Sequence, residues 1–185
     1  MRALQMMTGL SNLLSRALHD QKGVSAIEFA MVLPVMVALY VGSVELSHTL
    51  TIDRRVTAVA SATADLIAQS EQVSTGDLND IFEAASSIMT PYSATPIKIK
   101  ATSVVADQNN NTKVEWSAAL HDTPYAPNTS FPLPEGLTQP FTSVIVAEVS
   151  YTYTPPIGEN MTGGITLTDK FYLRPRRSLT VAKTN

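Results

Sequence analysis

The sequence predicts an α+β, membrane-anchored protein: a long N-terminal helix, transmembrane and then amphipathic, a second short helix, and an antiparallel sheet of about four strands. Three observations predict it. Residues 24–44 are 21 positions with one charge, Glu28, long enough as a helix to cross about 30 Å of hydrocarbon. Past them, apolar residues recur at helical spacing as far as Ile67. From Ile97 the apolar period changes to two, the spacing of half-buried strands.

The N-terminal part divides at Gly23. Residues 1–23 carry Arg2, Arg16 and Lys22 against Asp20, a net +2, and the rest of the chain carries −5 within a total of −3. Basic residues just before a span tend to stay cytoplasmic, which places the 45–185 domain on the far side of the membrane. Short apolar clusters in 1–22 are broken by polar residues, and no run reaches the length of a signal-peptide core. The 24–44 run exceeds that length, and Val41-Gly42-Ser43 matches a small-x-small cleavage site poorly. Pro34 should kink the span, since its ring removes a backbone donor, and Gly42 lowers helix propensity by about 1 kcal/mol relative to Ala.

Beyond the span, Leu46, Leu50, Val56, Val59, Thr63, Leu66 and Ile67 suit a helix continuing to about Gln69, some 70 Å from Val24. Ser70 to Gly76 is a polar break. A second helix then starts near Asp77, with Ser74 or Thr75 as cap and Ile81, Phe82, Ala85, Ile88 and Met89 on one face, and it stops before Pro91. Ile97, Ile99 and Val104-Val105 make a first strand, 107–111 a turn, and Val114, Trp116 and Ala118 a returning strand. Residues 123–140, with five prolines, read as a loop, 143–154 as a central strand and 166–173 as the last.

Composition narrows the function classes. There are no cysteines, so disulfides and thiolate metal sites are excluded. A mildly acidic chain lacks the basic face that nucleic acid requires. His19, His48 and His121 are too scattered for a metal site. No phosphate loop and no strained Gly-x-Ser-x-Gly turn is present, so no catalytic residue, metal ligand or cofactor is expected. Asn110-Asn111-Thr112, Asn128-Thr129-Ser130 and Asn160-Met161-Thr162 fit the N-glycosylation pattern but read as turn chemistry. Asp53-Arg54-Arg55 reads as a solvated helix face, with contact to lipid head groups or another subunit as the alternative. Lys170, Arg174, Arg176, Arg177 and Lys183 crowd the last 16 positions. They suit a docking strip for an acidic partner, or equally an edge strand protected by charge.

Gly23, four small or apolar residues, Glu28, the aromatic Phe29 and a long apolar run form a pattern that resembles the processing site of type IV pilins. More narrowly, Val24-Ser-Ala-Ile-Glu-Phe-Ala-Met-Val-Leu-Pro34 is similar to the TadE-like pseudopilins of tight-adherence pili. Stretches at 64–69, 81–89, 146–155 and 171–177 extend the resemblance downstream. It implies that a prepilin peptidase cuts after Gly23 and leaves Val24 as the amino terminus. The Val24 ammonium of one subunit and the Glu28 carboxylate of the next would then pair inside a bundle of spans and set their register, each offsetting part of the other's cost in hydrocarbon.

The expected protein is a non-enzymatic minor pseudopilin or assembly component. Its expected site is the bacterial inner membrane, crossed once, with the N-terminus cytoplasmic and the domain periplasmic. The partners implied are the peptidase, other pilin or pseudopilin subunits, inner-membrane pilus assembly proteins and membrane lipid. The rival reading is a single-span anchored or secreted periplasmic binding module unrelated to pili.

Overall fold

The computed structural model describes residues 21–155 and 163–184. The leader as far as residue 20, with His19, and the Asn160-Met161-Thr162 tripeptide lie outside the described residues. The described residues fall into two compact units that part between Ser47 and His48. The elements are those the sequence predicts: a long N-terminal helix, a short second helix and a four-stranded antiparallel sheet.

Helix α1 (Gln21–Ala68) has 48 residues. In the unit that begins at His48 it buries Ile52, Val56, Val59, Ala60, Ala64 and Ile67, a stripe recurring every three or four residues. Three residues of the expected apolar series, Leu46, Leu50 and Leu66, are exposed instead. Leu50 lies two residues from Ile52, about 200° round the helix, and Leu66 one residue from Ile67, about 100°. The small residues Ala60 and Ala64, which a hydrophobicity count underrates, hold the buried positions.

Helix α2 (Thr75–Ser86) begins at Ser74 through a capping box. The Asp77 backbone N–H donates to Ser74 Oγ at 3.1 Å, and the Ser74 N–H donates to Asp77 Oδ2 at 2.8 Å. The Ser74 N–H, and after it the Ser74 hydroxyl, which donates to the same Oδ2 at 2.7 Å, hold the Asp77 carboxyl below the usual carboxylate range. Leu78, Phe82 and Ala85 face the core. The helix then tightens into a 3-10 turn (Ser87–Met89), short of the full helix to Met89 that the spacing suggests.

Strands β2 (Ile97–Ala106), β3 (Thr112–Leu120), β4 (Ser143–Tyr153) and β5 (Ile165–Leu173) form one antiparallel sheet in the order β3-β2-β4-β5. Its inner face, with Ile97, Ile99, Ala101, Ile145, Val149 and Tyr151, shares one core with α1 and α2. Its outer face carries a second cluster, Val104, Val144 and Val146, covered by Phe131, Leu133 and Leu137 of the proline-rich loop. Strand β4 is therefore buried on both faces, which is why its sequence reads as an almost unbroken apolar run. Asn110 and Asn128 both take positive φ, the turn role expected of them.

The alternation expected of Val114 and Trp116 is interrupted. Register slips between Ser103 and Val104, so Trp116 pairs with Ser103, Val114 with Val104, and Glu115 is left between. Directly paired residues share a face. Val114 thus joins the outer face and Trp116 the inner one, the re-aiming that a β-bulge produces. A further pair is absent from the sequence reading: β1 (Gln72–Val73) and β6 (Ala182–Lys183) form a two-residue parallel ladder.

Candidate functional site

The first unit holds Gly23, Val24, Glu28 and Phe29, the residues at which processing and register pairing are expected. Along residues 24–44 no side chain is buried, and Val24, Phe29, Leu39 and Tyr40 are each more than half exposed. Val24–Ala68 holds the one helix, among the described residues, long and apolar enough to cross a membrane. So much uncovered apolar surface exceeds what soluble monomers expose and fits a single-pass anchor. The helix runs through Pro34 without interruption, although the ring leaves the Ala30 carbonyl without its usual donor.

Polar groups in this stretch differ in how they are satisfied. Ser43 Oγ donates to the Tyr40 carbonyl at 2.8 Å, which lets a hydroxyl sit in an apolar medium. Glu28 is exposed and has no hydrogen bond or ion pair among the described residues. It lies five positions after Gly23, inside α1 with Gly23 and Val24.

In the second unit, Arg55 departs from the solvated face read for Asp53-Arg54-Arg55. Asp53 and Arg54 are exposed, whereas Arg55 is half-buried. Its guanidinium donates to the Ile88 carbonyl at 2.5 Å and lies 5.8 Å from the centre of the Tyr92 ring. His48 Nδ1 is 3.2 Å from the Tyr92 hydroxyl. The start of this unit's helix is thereby tied to the chain leading into β2. Among the described residues no group of three or more His, Asp or Glu converges on a metal-sized site.

The basic residues near the C-terminus differ in their partners. Lys170, on the edge strand β5, pairs with Glu148 at 2.5 Å, and that hydrogen bond raises its pKa. Arg174 donates to the Leu137 and Gly136 carbonyls at 2.9 and 3.0 Å. Arg176 pairs with Asp65 at 2.5 Å, while its backbone N–H donates to the Ala68 carbonyl at 2.8 Å. That bond satisfies one of the carbonyls left open at the end of α1. Arg177 is exposed and makes no ion pair among the described residues.

The same segment continues as a strap across the domain. The indole Nε1–H of Trp116 donates to the Val181 carbonyl at 2.6 Å, and Val181 is wholly buried. An isolated tryptophan and a single valine carry no periodic signal from which their pairing could be read.

Residues 23–65 match the family model described as TadE-like protein. The match includes the stretch from Gly23 to Pro34 on which the resemblance to TadE-like proteins rests, and it ends at residue 65. Comparison with curated proteins and with solved structures returned no match.

Proposed function

We propose that this chain, TadE-like through residues 23–65, is a minor pseudopilin or assembly component of a tight-adherence pilus. In this reading a prepilin peptidase removes residues 1–23, residues 24–44 cross the inner membrane, and the domain from residue 45 stands in the periplasm. The role is packing, without catalysis. The observation that carries it is Glu28, exposed and unpaired among the described residues within an uncovered apolar helix.

A lone carboxylate in hydrocarbon costs about 2.5–3.5 kcal/mol on insertion scales. Cleavage after Gly23 creates an ammonium on Val24, and in a bundle of spans the ammonium of one subunit meets the Glu28 carboxylate of another. At low dielectric the pair offsets much of what each charge costs alone, and it fixes axial register because only one offset brings the two together. Other pilin or pseudopilin subunits and the inner-membrane assembly proteins supply the neighbouring spans, and lipid covers the rest.

Glu28→Gln tests this, because it keeps shape and removes the charge. The variant should still be cut and inserted, yet co-isolate with the other pilus components several-fold less than the natural chain. Undiminished co-isolation would remove the reason given for Glu28.

A further inference from the structure

Away from α1, two large apolar side chains stand exposed among the described residues of the unit that begins at His48: Phe141 at 65% and Leu179 at 70%. Both sit at one end of the sheet. The Phe141 N–H donates to the Ala106 carbonyl at 3.0 Å, and the Ala106 N–H donates to the Thr142 carbonyl at 3.0 Å, so Phe141 stands beside the last residue of β2. The Ser143 N–H donates to the Leu179 carbonyl at 2.9 Å, which puts Leu179 beside the first residue of β4.

Phe141 has φ of 64°, a left-handed conformation that is an outlier for a bulky residue. Its own bond to the Ala106 carbonyl and the bond from Ala106 to the next residue, Thr142, hold it there, together with a turn in which Thr142 Oγ1 donates to the Gln139 carbonyl at 2.8 Å. Backbone strain that presents an aromatic ring to water serves no packing within the chain. Arg177, two residues before Leu179, is exposed and makes no ion pair among the described residues.

At the other end of the sheet a groove of about 510 Å³ opens beside α2, lined by the apolar Ala94 and Leu120 and by Asn79, Glu83, Ser86, Thr95 and His121. Glu83 is exposed there and its carboxylate makes no ion pair among the described residues. Thr95 lies just before β2 and Ala106 ends it. Ten strand residues separate the two ends, about 30 Å at 3.3 Å per residue. No molecule can reach its own groove with its own tip.

We infer that the two ends fit one another between copies: Phe141 and Leu179 of one molecule seat in the groove of a second, with Arg177 of the first against Glu83 of the second. The apolar knob meets Ala94, Leu120 and the carbon atoms of the polar residues beside them, and the unpaired cation meets an unpaired carboxylate. Such a contact joins different surfaces, so it is heterologous and propagates head to tail unless the rotation closes a ring. It uses only residues after His48 and does not rest on cleavage or on the Glu28 pair. A contact built on two side chains falls below the size of a stable interface, so a covalent trap is the suitable readout.

The chain has no cysteine, so single introduced thiols are unique. Full-length Leu179→Cys and Thr95→Cys variants, carrying different tags, are mixed in detergent and treated with a short bismaleimide. The mixed product should exceed either self-product several-fold. Arg177→Glu in the Leu179→Cys copy should lower it several-fold, and Glu83→Arg in the Thr95→Cys copy should restore it. Both charged residues are exposed and unpaired, so these changes leave the fold intact. Self-products as abundant as the mixed one, absence of any product, or a yield indifferent to the charge exchange would overturn the inference.

Discussion

Replacing Trp116 with Phe separates the C-terminal strap from the sheet by one hydrogen bond. Trp116 is 6% exposed, and its indole N–H donates to the Val181 carbonyl at 2.6 Å. Phe keeps an aromatic body on the inner face and removes the donor, which leaves a buried carbonyl unsatisfied at about 1–3 kcal/mol. The smaller ring gives up roughly two carbon groups of burial, at about 0.8 kcal/mol each. The expected loss is roughly 3–4 kcal/mol, a large part of the 5–15 kcal/mol typical of a domain. Urea unfolding of the full chain in detergent, followed by circular dichroism, should show a lower midpoint at unchanged slope. Amide exchange should also quicken at Ala182 and Thr184, whose N–H groups donate to the Glu71 and Val73 carbonyls at 3.2 and 2.9 Å. Val181→Ala keeps the carbonyl and removes two methyl groups, at about 1.5–2 kcal/mol. Because the two residues touch, the double variant should lose less than the two single losses together. A Trp116→Phe loss under about 1 kcal/mol, or strict additivity, would refute the strap.

Two further changes probe local chemistry. Arg55→Ala, which removes the bond to the Ile88 carbonyl and the contact with Tyr92, should cost about 1–3 kcal/mol in the same assay. Its exposed neighbour Arg54 should tolerate Ala within about 0.5 kcal/mol, and equal effects would contradict the placement of Arg55. Asp77→Asn should lower the melting temperature at neutral pH, because the folded-state pKa of this carboxyl is depressed below 3.8 by its bonds to Ser74. Its stabilisation is present above pH 3.8 and is lost as pH falls through the folded-state value. The gap between variant and natural chain should therefore close on acidification, and a gap constant with pH would count against the capping box.

Much of the fold is legible because it is encoded in local period and chemistry. The apolar run after Gly23, the Ser74 cap, the Asn-rich turn before Thr112 and the β-branched run of β4 each announce themselves within a few residues. What escapes depends on contacts far apart in the chain. A two-residue ladder between Gln72–Val73 and Ala182–Lys183 is too short to show a period. The slip at Glu115 reverses the face of Val114 without any glycine to mark it. The burial of Arg55 follows from where Ile88 and Tyr92 arrive, not from the charges beside it in sequence. Of the proposed site, Gly23, Val24 and Glu28 come from the resemblance carried by the residues from Gly23 to Pro34, a stretch inside the family-model match. The exposed Phe141 and Leu179 cannot, since exposure of a loop residue is a property of the assembled domain.

The proposed role depends most directly on where the mature chain begins. After co-expression of the full chain with a prepilin peptidase, intact mass and N-terminal sequencing should show residues 1–23 removed and Val24 first, with Gly23→Ala substantially reducing the cut. A mature chain that begins near Val44, or an uncut chain that still assembles with pilus components, would contradict the assignment.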